Sequence, residues 1–245
     1  MGVTSDDPGA LIRRRVRYYY LLGVLVAGMF AGELTMHFTE GTWSSWAVAL
    51  AAAAAVVLGV GSGLRGADLG LSPAALGRGA RWSTVIAVAV VLGIAAGLAI
   101  PPIRELFHND AYRELPAALR SALLVIPLRT VLPEEVLFRG VLLGALLRRH
   151  SVRTAVIAQA LLFGLWHIVS STGLSASNEG LGDAVGRGTI GTVLGVLGAV
   201  AFTTIAGLIL GWLRVHTGSL LPCITLHWVA NGAGAVASAL AWQLS

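Results

Sequence analysis

Three short patterns place chemistry-bearing residues inside otherwise apolar runs. They are Glu134, Glu135 and Arg139 in LRTVLPEEVLFRGVLLGALLRR, His167 in LLFGLWHIVSS, and His227 with Asn231 in LPCITLHWVANG. Glu135 and Arg139 are spaced i,i+4, which puts them on one helical face where the guanidinium can hold the second carboxylate. Glu134 is rotated by about 100° from its neighbour and is left for another task. Carboxylate, imidazole and amide groups together suit activation of a water and stabilisation of a tetrahedral oxyanion, and hence peptide hydrolysis. Glu134, His167 and His227 would equally suit a zinc ion with water as its fourth ligand, and the residues leave zinc and metal-free chemistry both open. No serine or cysteine nucleophile motif and no HExxH signature accompanies them, so an acyl-enzyme route has no support. Taken singly, each pattern has a plainer reading. A lone histidine in an apolar helix makes a structural hydrogen bond, and an Asn one turn from a His ties helices together. The combination argues for a site.

The elements that must position these groups are membrane helices. Of 245 residues, 56% are hydrophobic and 12% charged, where a soluble globular domain carries roughly 25% charged residues. The mean hydropathy is +0.80. Apolar segments at about 19–36, 43–64, 82–100, 117–147, 152–170, 189–213 and 220–244 are near the ~20 residues that cross a bilayer. The expected fold is therefore all-α, a polytopic transmembrane bundle of about seven or eight spans forming one domain over 1–245, with a polar cavity within the membrane. Collagen-like, disordered and disulfide-stapled classes are excluded. The single cysteine, Cys223, cannot form an intrachain bridge and reads as packing.

All 17 basic residues are arginine, and the net charge is +5. In such a chain, basic residues are first of all topology signals rather than a nucleic-acid surface. With seven spans and a cytoplasmic N-terminus, the inner side carries Arg13, Arg14, Arg15, Arg17, Arg65, Arg78, Arg81, Arg148, Arg149, Arg153 and Arg214, while Arg104, Arg113 and Arg187 lie outside. Glu40, Glu105, Asp110, Glu114, Glu179 and Asp183 fall outside as well, and Asp6, Asp7 and Asp68 inside. This asymmetry predicts N-in, C-out, in a cell membrane. The lysine-free composition without an organelle signal points to a bacterial inner membrane. The first apolar run is too long for a cleaved signal peptide and reads as an anchor. The segment 65–81 reads as a cytoplasmic connector.

Depth connects the three patterns. Glu134 precedes Arg148 by 14 residues, His167 follows Arg153 by 14, and His227 follows Arg214 by 13. If these arginines mark the membrane boundary, each group lies at most ~20 Å below it. Pro133, just before the glutamate pair, predicts a kink or a fresh helix start near Leu132. Glu33, Arg120 and Arg129 also sit within apolar runs, where a charge costs around 2.5 to 3.5 kcal/mol on the insertion scale and demands a reason. The two arginines are expected to snorkel, to pair with Glu33, or to receive an anionic substrate group. His37, His108, His150 and His216 fall at span ends or in loops and are set aside. Trp166 and Trp228 flank the patterns and read as packing or cavity wall.

The ordered set EExxxR, FxxxH (Phe163, His167) and HxxxN, with GWLRVHTGSLLPCITLHWVANG around the last, resembles the CPBP family of intramembrane proteases, which contains CAAX prenyl endopeptidases and Abi or bacteriocin-processing proteins. The likeness covers about residues 115–235. It implies an eight-helix-like bundle, which a division of the long fourth segment would reconcile with the seven runs. It further implies that Glu134 and His167 activate the attacking water, that His227 and Asn231 stabilise the oxyanion, and that Glu135 and Arg139 orient the site. If a metal is present, Glu134, His167 and His227 would hold it. The implied partner is a peptide or membrane-protein substrate within the bilayer. The rival reading is a transporter, or an immunity or binding protein reusing the fold. A transporter would typically carry internal repeats or paired broken helices, and the chain has only the Pro133 break.

Overall fold

The computed structural model describes residues 8–41, 43–172, 186 and 188–245, and side chains from residue 16 onward except Arg17. The side chains of Arg13, Arg14, Arg15 and Arg17, and residues Asp6, Asp7, Glu179, Asp183 and Arg187, lie outside the description. Seven helical segments carry the fold: α1 (Pro8–Phe38), α2 (Ala47–Gly61), α3 (Leu76–Ala99), α4 (Leu115–Leu147), α5 (Val152–Trp166), α6 (Gly188–Thr217) and α7 (Leu221–Leu244). Among the described residues six helical segments are long and apolar enough to cross a membrane, and α5 is a shorter apolar helix. The protein is a membrane-embedded, multi-pass helical bundle.

Local sequence explains most boundaries. The alanine-rich α2 (AVALAAAAAVVLGVG) consists largely of the strongest helix formers. The Ser151 hydroxyl caps α5 by accepting from the Thr154 amide at 3.2 Å. Gly218, at φ +69°, ends α6, and Pro222 sits in the first turn of α7, where its missing donor costs nothing.

Two expectations are corrected. The fourth segment is not divided. Leu115–Leu147 is continuously helical, and Pro133 changes its winding rather than breaking it. Ser121–Val131, which contains Pro127, and Val136–Leu142 are π-wound, with Leu132–Glu135 α-wound between them. A proline removes a donor and crowds the preceding turn, and a wider turn absorbs both effects without ending the helix. The fifth segment is shorter than 152–170. Helix α5 stops at Trp166, about 22 Å long. Beyond it the His167 and Ile168 amides make tighter bonds to the carbonyls of Gly164 and Leu165, and the Ser170 and Ser171 hydroxyls both donate to the His167 carbonyl, competing with helical continuation.

The main core joins Leu21, Leu25 and Met29 of α1, Val48, Ala52 and Ala55 of α2, Leu137, Phe138 and Val141 of α4, and Phe163 and Trp166 at the end of α5. Helices α5 and α6 pack through small residues. A Cβ on Gly207 would lie 2.9 Å from the Ala160 Cα, and the buried Gln159 amide donates to the Gly207 carbonyl at 2.7 Å. Outward faces are apolar, as with Val85, Val88 and Leu92 on α3 and Leu197, Phe202 and Ile205 on α6, which suits lipid contact.

At one end of the bundle, the turn before Leu71 locks onto the α6–α7 junction. The Arg214 guanidinium donates to the carbonyls of Ala67 and Asp68 at 3.2 and 2.7 Å, and the Leu220 amide donates to the Gly70 carbonyl at 2.9 Å. Arg148 holds Asp68 at 3.0 Å and the Gly63 carbonyl at 2.7 Å. Arg214 is therefore buried at 4% exposure. Helix α7 begins beneath the connector, and His227 enters the interior only six residues into its helix.

Candidate active site

The two adjacent glutamates of α4 point to different partners. Glu135, fully buried, receives two donors on one oxygen: Arg139 Nη1 at 2.9 Å and His227 Nδ1 at 2.8 Å from Oε1. Arg139 is equally buried. Its guanidinium carbon stands 3.9 Å from the centroid of the Phe163 ring, so it is held between a carboxylate and an aromatic face. Phe163 thus braces the arginine with its ring, while its carbonyl pairs with His167 Nδ1 at 2.7 Å.

That backbone contact orients His167. With Nδ1 on a carbonyl, which can only accept, Nδ1 carries the proton and Nε2 presents a lone pair. His167 Nε2 lies 3.9 Å from Glu134 Oε2, and that oxygen is buried with no hydrogen-bond partner. The separation is too long for a direct hydrogen bond and fits one water oxygen in contact with both groups.

Helix α4 supplies Glu134, Glu135 and Arg139, the turn after α5 supplies His167, and α7 supplies His227. Asn231 lies one turn beyond His227 on α7. It is exposed and makes no hydrogen bond to the described residues. The structure thus joins Glu135, Arg139 and His227 by direct bonds, sets Glu134 opposite His167, and leaves Asn231 at the margin. Among the described residues no three His, Cys, Asp or Glu side chains converge closely enough to hold a metal ion. As arranged, Glu134, His167 and His227 do not fit zinc.

Trp228, read as cavity wall, is also a cross-helix tie, because its indole donates to the Ala122 carbonyl at 2.7 Å. Trp166 is buried packing. Arg129 lies 5.0 Å over the Trp46 ring, and neither it nor Arg120 forms an ion pair with Glu33. The remaining histidines sit away from the site, with His216 stacked on Trp212 and His108 on Trp242. Sequence reasoning missed the Glu135–His227 bond. It joins residues 92 positions apart, and no local spacing reports it.

The membrane-embedded helical bundle thus holds a buried Glu/His/Arg cluster. A family model described as type II CAAX prenyl endopeptidase, Rce1-like, matches residues 116–233. Over that segment the chain is similar to the intramembrane CAAX-type proteases, the family that its three motifs resemble. No curated protein and no solved structure matches the chain.

Proposed function

We propose that the protein is an intramembrane endopeptidase whose nucleophile is a water held between Glu134 and His167. The observation that carries this reading is the buried, unpartnered Glu134 Oε2 facing the His167 Nε2 lone pair at 3.9 Å. Glu134 takes a proton from the water as the oxygen attacks the scissile carbonyl carbon, and the carbonyl π pair moves to oxygen. His227, its Nδ1 fixed on Glu135, offers Nε2–H as an imidazolium to the oxyanion, with Asn231 as a second donor once substrate covers it. Collapse of the intermediate breaks the C–N bond, and the proton held on Glu134 passes to the leaving amine. Glu135 and Arg139 orient His227 without touching substrate.

The substrate is a membrane-associated or C-terminal peptide, presented from the bilayer. In a bacterial inner membrane this would be a bacteriocin precursor, a signalling peptide or another membrane protein. The test is cleavage of a farnesylated CAAX reporter and of unprenylated membrane-protein tails by the protein purified in detergent, with and without a strong chelator. Glu134-dependent cleavage that survives the chelator supports the metal-free reading. Cleavage abolished by chelator and restored by zinc would replace it with a metalloprotease. Cleavage that persists in Glu134→Ala would remove Glu134 from the reaction.

A further inference from the structure

Helix α1 lies outside the matched segment, yet it reaches the site. Its buried face repeats every four residues through Leu21, Leu25 and Met29, and the next position on that face is Glu33, only 2% exposed. The core periodicity calls for an apolar side chain there. Glu33 Oε1 has no hydrogen-bond partner, and no basic side chain among the described residues forms an ion pair with this carboxyl. A buried carboxyl on an apolar face needs a local reason.

The surroundings supply one. The Ser170 hydroxyl lies beside the Glu33 carboxyl, and Glu33 is within electrostatic reach of Glu134. One turn earlier, Phe30 meets the edge of Trp166 at a ring separation of 6.0 Å. Helix α1 therefore touches the chain on both sides of His167, at Trp166 just before it and at Ser170 three residues after. His167 is the first residue past the end of α5, so its aim depends on the turn over 167–172 rather than on a helical ladder. Ser170 also reaches back to the His167 carbonyl at 3.4 Å. We propose that Glu33 is a positioning residue that, through Ser170, holds this turn so that His167 faces Glu134. Its catalytic consequence rests on the peptidase reading above, whereas its structural consequence does not.

The full chain, purified in detergent, is compared with Glu33→Leu, Glu33→Gln, Ser170→Ala and the Glu33→Leu/Ser170→Ala double variant. Three quantities are measured: Tm, the rate at which diethyl pyrocarbonate modifies His167 with His216 as internal reference, and kcat and KM on the farnesylated CAAX reporter. Glu33→Leu should keep or raise Tm, because it removes an unpaired buried carboxyl. It should speed His167 modification by about threefold or more and lower kcat about tenfold with KM little changed, as expected of a misaimed group. Glu33→Gln, which keeps a hydrogen-bonding group beside Ser170, should match the wild-type His167 rate. Ser170→Ala should follow Glu33→Leu, and the double variant should be no worse than either single one. An unchanged His167 rate in Glu33→Leu overturns the proposal. So does a lowered Tm, which would make Glu33 a plain structural group. Failure of the peptidase reading is separate, because a wild type that cleaves nothing leaves the His167 rate to decide.

Discussion

His227 Nδ1 and Arg139 Nη1 converge on one oxygen of Glu135, at 2.8 and 2.9 Å. A single carboxylate oxygen therefore fixes both the i,i+4 partner on its own helix and a histidine on α7. Any change at Glu135 therefore reaches both Arg139 and His227.

Glu134→Ala, His167→Ala and His227→Ala should each abolish proteolysis while the protein stays folded and membrane-inserted. Asn231→Ala should be milder, losing on the order of 10² to 10³-fold if it donates to the oxyanion. Cleavage of a processed substrate, with size-exclusion profiles as the folding control, measures both. A variant that keeps most of its activity takes that residue out of the mechanism.

Arg139→Ala should leave Glu135 buried beside His227 alone and destabilise by roughly 3 to 5 kcal/mol, more than the Glu135→Leu/Arg139→Leu double change, because an uncompensated buried charge is the costly species. A thermal-shift double-mutant cycle reads the coupling. Simple additivity of the two single losses would mean that the pair is not coupled.

Gly70 stands at φ +78°, and a Cβ there would collide with the Arg214 guanidinium and lie 2.9 Å from the Leu220 amide. Gly70→Ala should therefore cost on the order of 1 to 3 kcal/mol and loosen the start of α7, lowering Tm and activity together. Gly77→Ala, in α3 and with an added Cβ that meets nothing within 4 Å, is the control and should not lower Tm.

The arginine distribution predicts a cytoplasmic N-terminus and an external C-terminus. In a Cys223→Ser background, a cysteine at the exposed Asp110 should react with an impermeant thiol reagent in intact cells, and one at Arg149 should not. A reporter fused after Ser245 should be active only in its extracytoplasmic form. A cytoplasmic C-terminus would mean an even number of crossings, and the short α5 would then be the segment that fails to span.

What sequence alone determined is what depends on nearby residues. Apolar run length specified membrane helices, because a backbone in lipid must bond to itself. The i,i+4 spacing put Glu135 with Arg139, since 3.6 residues per turn is a local constant. The same reasoning separated Glu134 from Glu135 in direction, although not in partner. At Pro133 the expected discontinuity takes the form of a change from π to α winding at Leu132, and α5 ends at Trp166, earlier than the apolar run predicts. Only the tertiary structure decided which histidine meets which carboxylate, that Arg214 is a buried clasp on the Ala67 and Asp68 carbonyls, and that Glu33 of α1 reaches the turn bearing His167. Those relations depend on how deep each helix starts and how it is rotated against its neighbours. Depth and rotation are set by packing and by contacts such as Arg214 with Asp68 or Glu135 with His227, between residues 146 and 92 positions apart. Helical periodicity carries no information across such separations, so the partners became visible only once the helices were packed.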